Sequence, residues 1–258
     1  MTAKALASSP GPQAQVPTQI RNVVLVGHSG AGKTTLFEHL IAATTPGYRA
    51  KPVLDERSVQ LAVASVSHED VVLNLIDTPG YPDFVGELRA GLRAADAALF
   101  VVSAADGFDG ATMLLWQECA AIGMPRAVAV TKLDAARGDF EDTVAICQRV
   151  FGEGVMAIYL PLHGDDEAII GNLGLLSQQI YDYTSGMRVQ HAAEAEHRQL
   201  IETNRSDLLE DITQESADDT LLDPSLCDED LYFATLLAVL TPALSPPPAP
   251  PRDPPHSQ

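Results

Sequence analysis

Short β-branched runs alternate with helical patterns along most of this chain. From Arg21 the order is Val23 to Val26, Lys33 to Ala43, Leu61 to Val66 and Val71 to Ile76. It continues with a helical pattern over Val85 to Ala94, a strand over Ala97 to Ser103, a helix over Ala111 to Ile122 and a strand over Ala127 to Val130. Gly123 and Pro125 stop the chain between the last two. A helix over Phe140 to Phe151 places Phe140, Val144, Cys147 and Phe151 on one face, and Val155 to Leu160 reads as the next strand. Strands this uniformly apolar predict an α/β fold whose mostly parallel sheet is covered by helices on both faces.

The two ends depart from this rhythm. Residues 1–19 are rich in Ala, Ser, Pro and Gln without a period and predict a disordered tail. The α/β core is expected over 20–161 and an acidic subdomain over 162–231, followed by an apolar then proline-rich tail over 232–258. Between Gln190 and Leu231 stand 13 acidic residues against only Arg198 and Arg205, a pattern that predicts a solvated helix anchored by Leu200, Leu208, Leu209 and Ile212. Leu231 to Leu244 is mainly apolar, and Pro246, Pro247, Pro248, Pro250, Pro251, Pro254 and Pro255 make the last stretch an extended, passive tail.

Charge narrows the function. The 258 residues carry 16 basic and 35 acidic side chains, net -19, which argues against broad binding to a phosphate backbone; direct DNA binding is not expected. No apolar run reaches the roughly 18 residues that span a bilayer, and the start lacks a basic end followed by an apolar stretch. A cytoplasmic chain without membrane contact is expected. Cys119, Cys147 and Cys227 are widely spaced and form neither a disulfide framework nor a zinc pattern.

Three motifs carry chemistry. Gly27-His28-Ser29-Gly30-Ala31-Gly32-Lys33-Thr34, followed by Thr35, fits the P-loop pattern between an apolar strand and an amphipathic helix. There, glycines turn successive amides inward around a β-phosphate and the helix start adds a positive dipole end. Lys33 reaches the β and γ oxygens, and Thr34 offers its hydroxyl to Mg²⁺. Asp77-Thr78-Pro79-Gly80 ends a strand, where the Asp77 carboxylate reaches the metal, usually through water, and the Gly80 amide falls near a γ-phosphate. Thr131-Lys132-Leu133-Asp134 ends another strand. An aspartate there accepts the N1 and N2 hydrogens of guanine while the Lys132 stem lies along the base plane, and adenine offers no such donor pair.

In this order the motifs resemble the nucleotide signature of translation-factor GTPases. The stretches GHSGAGKTTL, LIDTPGYPDFVGELRAGLRAADAALFVVSAADG and PRAVAVTKLD are similar to elongation factor G, and most of all to actinobacterial elongation-factor-G-like proteins. The likeness runs from about Ile20 to Leu231. It includes the Pro161-Leu162-His163-Gly164 turn and an acidic segment around Leu208 to Asp230 that resembles the insert subdomain of elongation factor G. The resemblance implies a P-loop GTPase G domain, GTP or GDP with Mg²⁺ and a ribosomal partner; a monomer is expected.

Four departures qualify it. Gly30 stands where the family holds an aspartate that helps organise the metal and the catalytic water. Tyr81 stands where the family's histidine orients that water. Arg57-Ser58-Val59-Gln60-Leu61 stands where the family reads RGITI, so Gln60 replaces the threonine that would ligand Mg²⁺ and sense the γ-phosphate. Weak turnover is expected, because phosphoryl transfer to water depends mostly on positioning and electrostatics. Fourth, the base-contacting SA loop, last strand and last helix that follow the insert in elongation factor G are not found after Leu231, which reads as a truncated or frame-changed product. Arg89 and Arg93 are expected as exposed helix arginines, His28 as pointing outward, and Trp116 as a core residue. His39, His68, His163, His191 and His197 show no metal-ligand spacing.

Overall fold

The structure is a computed structural model that describes residues 12–53, 60–68, 71–135, 139–152, 154–165, 168–185 and 188–215. Arg57 to Val59, most of the expected N-terminal tail, and the apolar and proline-rich C-terminal segments lie outside the described residues.

Nine elements form the α/β core: β1 (Ile20–Val26), α1 (Lys33–Thr44), β2 (Ala62–His68), β3 (Val71–Asp77), α2 (Val85–Ala94), β4 (Ala97–Ser103), α3 (Gly110–Ala121), β5 (Arg126–Thr131) and α4 (Phe140–Phe151). The five strands lie in the order β2-β3-β1-β4-β5, with β1, β3, β4 and β5 parallel and β2 antiparallel to β3. Because side chains alternate across a strand, the apolar runs split between two layers. Leu25, Leu75 and Val101 pack with Phe37 and Ile41 of α1. Val24, Val26, Phe100 and Val102 pack on the opposite face with Leu88 and Leu92 of α2, Leu115, Trp116 and Cys119 of α3, and Cys147 and Phe151 of α4. Trp116 has the expected core role: it stacks on Phe151 at 4.5 Å between ring centroids, and its indole N–H donates to the Phe151 carbonyl at 2.8 Å.

Asp109 caps α3 by accepting from the Thr112 amide, and Asp139 caps α4 by accepting from the Asp142 amide. Arg89 is exposed, as expected, and its guanidinium forks onto Glu118 through two nitrogens.

A second unit follows. β6 (Tyr159–His163), β7 (Ile169–Gly174), β8 (Gln179–Asp182) and β9 (Val189–Ala192) form an antiparallel meander, succeeded by α5 (Ala195–Glu215). Leu162, Leu173, Leu175 and Ile180 pack with Ile201 and Leu208 of α5 in a separate core. The strand read over Val155 to Leu160 is thus displaced, as β6, to Tyr159–His163. It opens this second sheet and takes no place beside β5, and the boundary drawn at Pro161 falls inside it. The cause is visible in its pattern: Leu160 and Leu162 alternate with Tyr159 and Pro161, the mark of a half-buried antiparallel strand. The acidic segment is helical over α5 as expected, whereas the meander ahead of it went unread.

Candidate functional site

The chain leaves β1 toward one edge of the sheet through β2 and β3, then crosses to the other edge through β4 and β5. That reversal makes the carboxyl end of β1 a topological switch point, the place where open α/β sheets receive ligands. Strand register brings the motifs there together. Leu25 pairs with Asp77, Val26 with Phe100, and Ser103 with Thr131, so Gly27 to Gly32, Asp77 to Gly80, Ser103 to Gly107 and Thr131 to Asp134 all leave the same end.

The loop from Gly27 is shaped by backbone that few residues tolerate. Gly27 has φ +156°, and a Cβ on it would fall 2.4 Å from the Val101 carbonyl oxygen. Gly32 has φ +94° and hands the chain directly to Lys33, the first residue of α1. Lys33 is buried, and its ammonium donates to the Gly27 and His28 carbonyls at 2.8 and 2.9 Å. Burial lowers its pKa to about 8 against the opposing pull of the Asp77 and Asp109 charges. His28 does not point outward as expected: its Nδ1 lies 2.5 Å from the Ser29 carbonyl oxygen, and its Nε2 is buried with no hydrogen-bond partner among the described residues.

Thr34 and Asp77 meet directly, the Thr34 hydroxyl donating to Asp77 Oδ2 at 2.7 Å. The Asp77 carboxylate is 2% exposed, and its other oxygen has no hydrogen-bond partner among the described residues. Burial pushes its pKa up, offset in part by the Thr34 hydrogen bond and the Lys33 charge. A hydroxyl beside an orphaned buried carboxylate oxygen is a donor set that suits a hard divalent cation.

Thr78 anchors the following turn by donating to the Leu25 carbonyl at 2.6 Å. The turn, with Pro79 next, lays Gly80 against the loop. A Cβ on Gly80 would lie 2.5 Å from Lys33 Nζ and 2.6 Å from the Ser29 amide nitrogen, so only glycine fits. Tyr81 follows, half-buried, and its carbonyl accepts from the Phe84 amide. Gly30 has φ +84°, and among the described residues no atom lies within 4 Å of a Cβ built on it. Gln60 is exposed.

On the far side of the loop, the Thr131 hydroxyl donates to the Ala31 carbonyl at 2.7 Å and so ties β5 to the phosphate-type loop. Lys132 has φ +57° and donates to Asp106 Oδ2 at 2.7 Å. Asp134 is exposed, with no hydrogen bond to its carboxylate among the described residues.

Sequence reasoning passed over three residues here. Asp106 follows β4 in an Asp-Gly pair that reads as an ordinary turn. Asp109 adds its charge to the Lys33 environment as well as capping α3. Glu38, buried one turn after Thr34, accepts from the Tyr48 hydroxyl at 2.7 Å and the Lys51 amide at 2.9 Å and holds the segment after α1 against that helix. A carboxylate at the fourth position after Thr34, next to Phe37 and in line with the helix face that carries Ile41, was the available signal. Away from this end, Glu194, Glu196 and His197 bring ligand atoms within 4.8 Å of one another; the two glutamates are exposed, and the group stands at the start of α5, where the helix dipole opposes a cation.

A five-stranded α/β sheet with a glycine loop and buried lysine at its switch point defines a P-loop nucleotide-binding fold. Residues 18–220 match the family described as the elongation factor Tu GTP binding domain, and the chain belongs to that family. It is 45% identical over 240 residues to the elongation factor G-like protein of Mycobacterium tuberculosis, covering 88% of this chain and 33% of that protein. Its identity to the elongation factor G-like protein of Thermotoga maritima is 30% over 230 residues, 86% of this chain and 33% of the relative. A crystal structure from Thermus thermophilus superposes with a TM-score of 0.76 at 31% identity, over 88% of this chain and 36% of the other. The chain thus spans about a third of the length of these relatives. No helix among the described residues is long and apolar enough to cross a membrane.

Proposed function

We propose that this chain binds GTP and GDP with Mg²⁺ at the carboxyl end of β1, and that it is a translation-type GTPase of weak or ribosome-dependent turnover. The observation that supports it best is the meeting of Lys33, Thr34, Asp77 and Gly80 at one point, with an orphaned carboxylate oxygen among them.

In this reading Gly27, His28, Ser29, Gly30, Ala31 and Gly32 surround the phosphates with amides, and Lys33 exchanges two carbonyls for phosphate oxygens. Thr34 and Asp77 hold the cation, which supplies positive charge to the phosphates. Thr35, Thr78, Pro79, Gly80 and Tyr81 border the terminal phosphate. Thr131 and Lys132 support the base, and Asp134 selects guanine through its paired N1 and N2 hydrogens. Turnover is weak because Gly30, Gln60 and Tyr81 bring neither the carboxylate, the hydroxyl nor the imidazole that the family resemblance expects at those positions. The space around Gly30 supports this, since among the described residues no atom lies within 4 Å of a Cβ built there.

The test combines thermal melting and single-turnover hydrolysis. GDP is expected to raise the melting midpoint and ADP to leave it unmoved, because a ligand selective for the folded chain stabilises it. Absence of any GDP effect in magnesium buffer would overturn the binding reading. Hydrolysis is expected to be slow alone and faster with ribosomes. A rate without ribosomes equal to that of a ribosome-stimulated translation factor would overturn weak turnover, and complete GTP retention with ribosomes present would make the chain a non-hydrolysing module.

A further inference from the structure

We propose that Asp106 is a positioning residue for Lys132, and that a Ser103–Asp106–Lys132 relay sets the affinity for the base. The inference rests on the guanine-nucleotide reading above.

Ser103 ends β4 and is fully buried. Its hydroxyl donates to Asp106 Oδ2 at 2.9 Å and accepts from the Asp106 amide at 3.0 Å, so the backbone and the carboxylate of Asp106 are each tied to one buried oxygen. The Gly107 amide closes the turn by donating to the Ser103 carbonyl at 2.7 Å. This is a rigid acceptor built on a central strand. Lys132 donates to the same Oδ2 at 2.7 Å. Its own backbone is pinned in the left-handed region at φ +57°, which a lysine adopts only when its surroundings hold it there. The Ala104 amide donates to the Thr131 carbonyl at 2.8 Å, and Thr131 in turn holds the Ala31 carbonyl. One set of hydrogen bonds therefore ties the phosphate-type loop to Thr131, a second ties Lys132 to Asp106 and Ser103, and the peptide bond between Thr131 and Lys132 joins the two.

A lysine stem has four rotatable bonds, and ordering it costs rotamer entropy. A carboxylate that holds the ammonium before ligand arrives moves that cost out of the binding step, which is the advantage of preorganisation. An incidental surface pair would join two mobile side chains. Here one partner is anchored to a buried hydroxyl and the other stands on constrained backbone. Lys132 and then Ser103 hold the Asp106 carboxyl below its ordinary range, and the nearby His28 acts in the same direction.

The test measures affinity for GDP and for inorganic pyrophosphate by calorimetry on the full chain. Asp106→Ala is expected to weaken GDP about fivefold and leave pyrophosphate within about twofold. Asp106→Glu is expected to recover most of the loss, and Asp106→Ala combined with Lys132→Ala to bind no worse than Lys132→Ala alone. GDP affinity unchanged in Asp106→Ala, or losses that add in the double variant, would overturn the relay. A parallel fall in pyrophosphate affinity would also overturn it, by showing that Asp106 acts through the loop. An unsubstituted chain with no affinity for GDP would instead remove the nucleotide reading itself.

Discussion

Lys33 shows how a single residue is held between two uses. Its ammonium is buried, satisfied by two carbonyls of its own loop, and lowered to about 8. Between that value and the 10.5 of a free lysine the unfolded chain carries more protons than the folded one, so this group makes the ligand-free chain more stable as pH rises through that window. Binding has the opposite sign, because a pyrophosphate favours the charged ammonium. GDP affinity is therefore expected to fall above pH 8, by up to tenfold per pH unit, with proton uptake on binding. Calorimetry in buffers of different ionisation heat reads that uptake; affinity flat from pH 7 to 9.5 would show that Lys33 stays charged in the free chain. The catalytic positions obey a separate logic. An aspartate tolerates left-handed backbone better than most residues, and Gly30 has open space around it. Tyr81→His alone is expected to recover little hydrolysis, and Gly30→Asp with Tyr81→His to recover more, as read by single-turnover rates at saturating GTP. Full recovery from Tyr81→His alone would assign the proposed weak turnover to that position.

At the scale of elements, the strands bring the site together and the helix starts tune it. Asp139 caps α4, whose buried Cys147 and Phe151 belong to the main core. Asp139→Ala is expected to cost about 1 kcal/mol of stability while GDP affinity holds, measured by chemical denaturation with and without the nucleotide; a loss of binding would mean that the cap also shapes the neighbouring loop. The helices, most strands of the first sheet and the glycine loop were legible from residue types, because period and turn chemistry agree locally, whereas the caps at Asp109 and Asp139 went unread. β6 was placed wrongly for a local reason as well: Val155 to Leu160 is apolar enough for a parallel strand, and only the alternation through Pro161 and Leu162 reveals a one-faced strand. The meander beyond it has short strands whose polar faces dilute any period. Within the site, the motifs gave the loop and the two strand-end aspartates. The pairing of Asp106 with Lys132 joins residues 26 apart, and no local pattern announces it.

Across the whole molecule the apolar residues form cores that share no buried member. Val24, Phe100, Trp116 and Phe151 belong to one, Leu25 and Val101 to the layer across the same sheet, and Leu173, Leu175, Ile180 and Ile201 to the second sheet with α5. The nucleotide-type site is built wholly from the first sheet, since every one of its residues lies between Gly27 and Asp134. Damage to the second core should then loosen the meander without reaching the loop. Ile201 is 1% exposed at the contact between α5 and the second sheet. Ile201→Ala removes its buried side chain and is expected to cost about 2–4 kcal/mol there. Amide exchange should speed up across β6 to β9 and α5 while protection in β1, β3 and β4 stays unchanged, since local opening follows cooperative units. GDP affinity should stay within about twofold of the unsubstituted chain. Equal loss of protection in both sheets, with GDP affinity falling alongside, would show one cooperative unit, and the second core would then be part of what holds the loop in place.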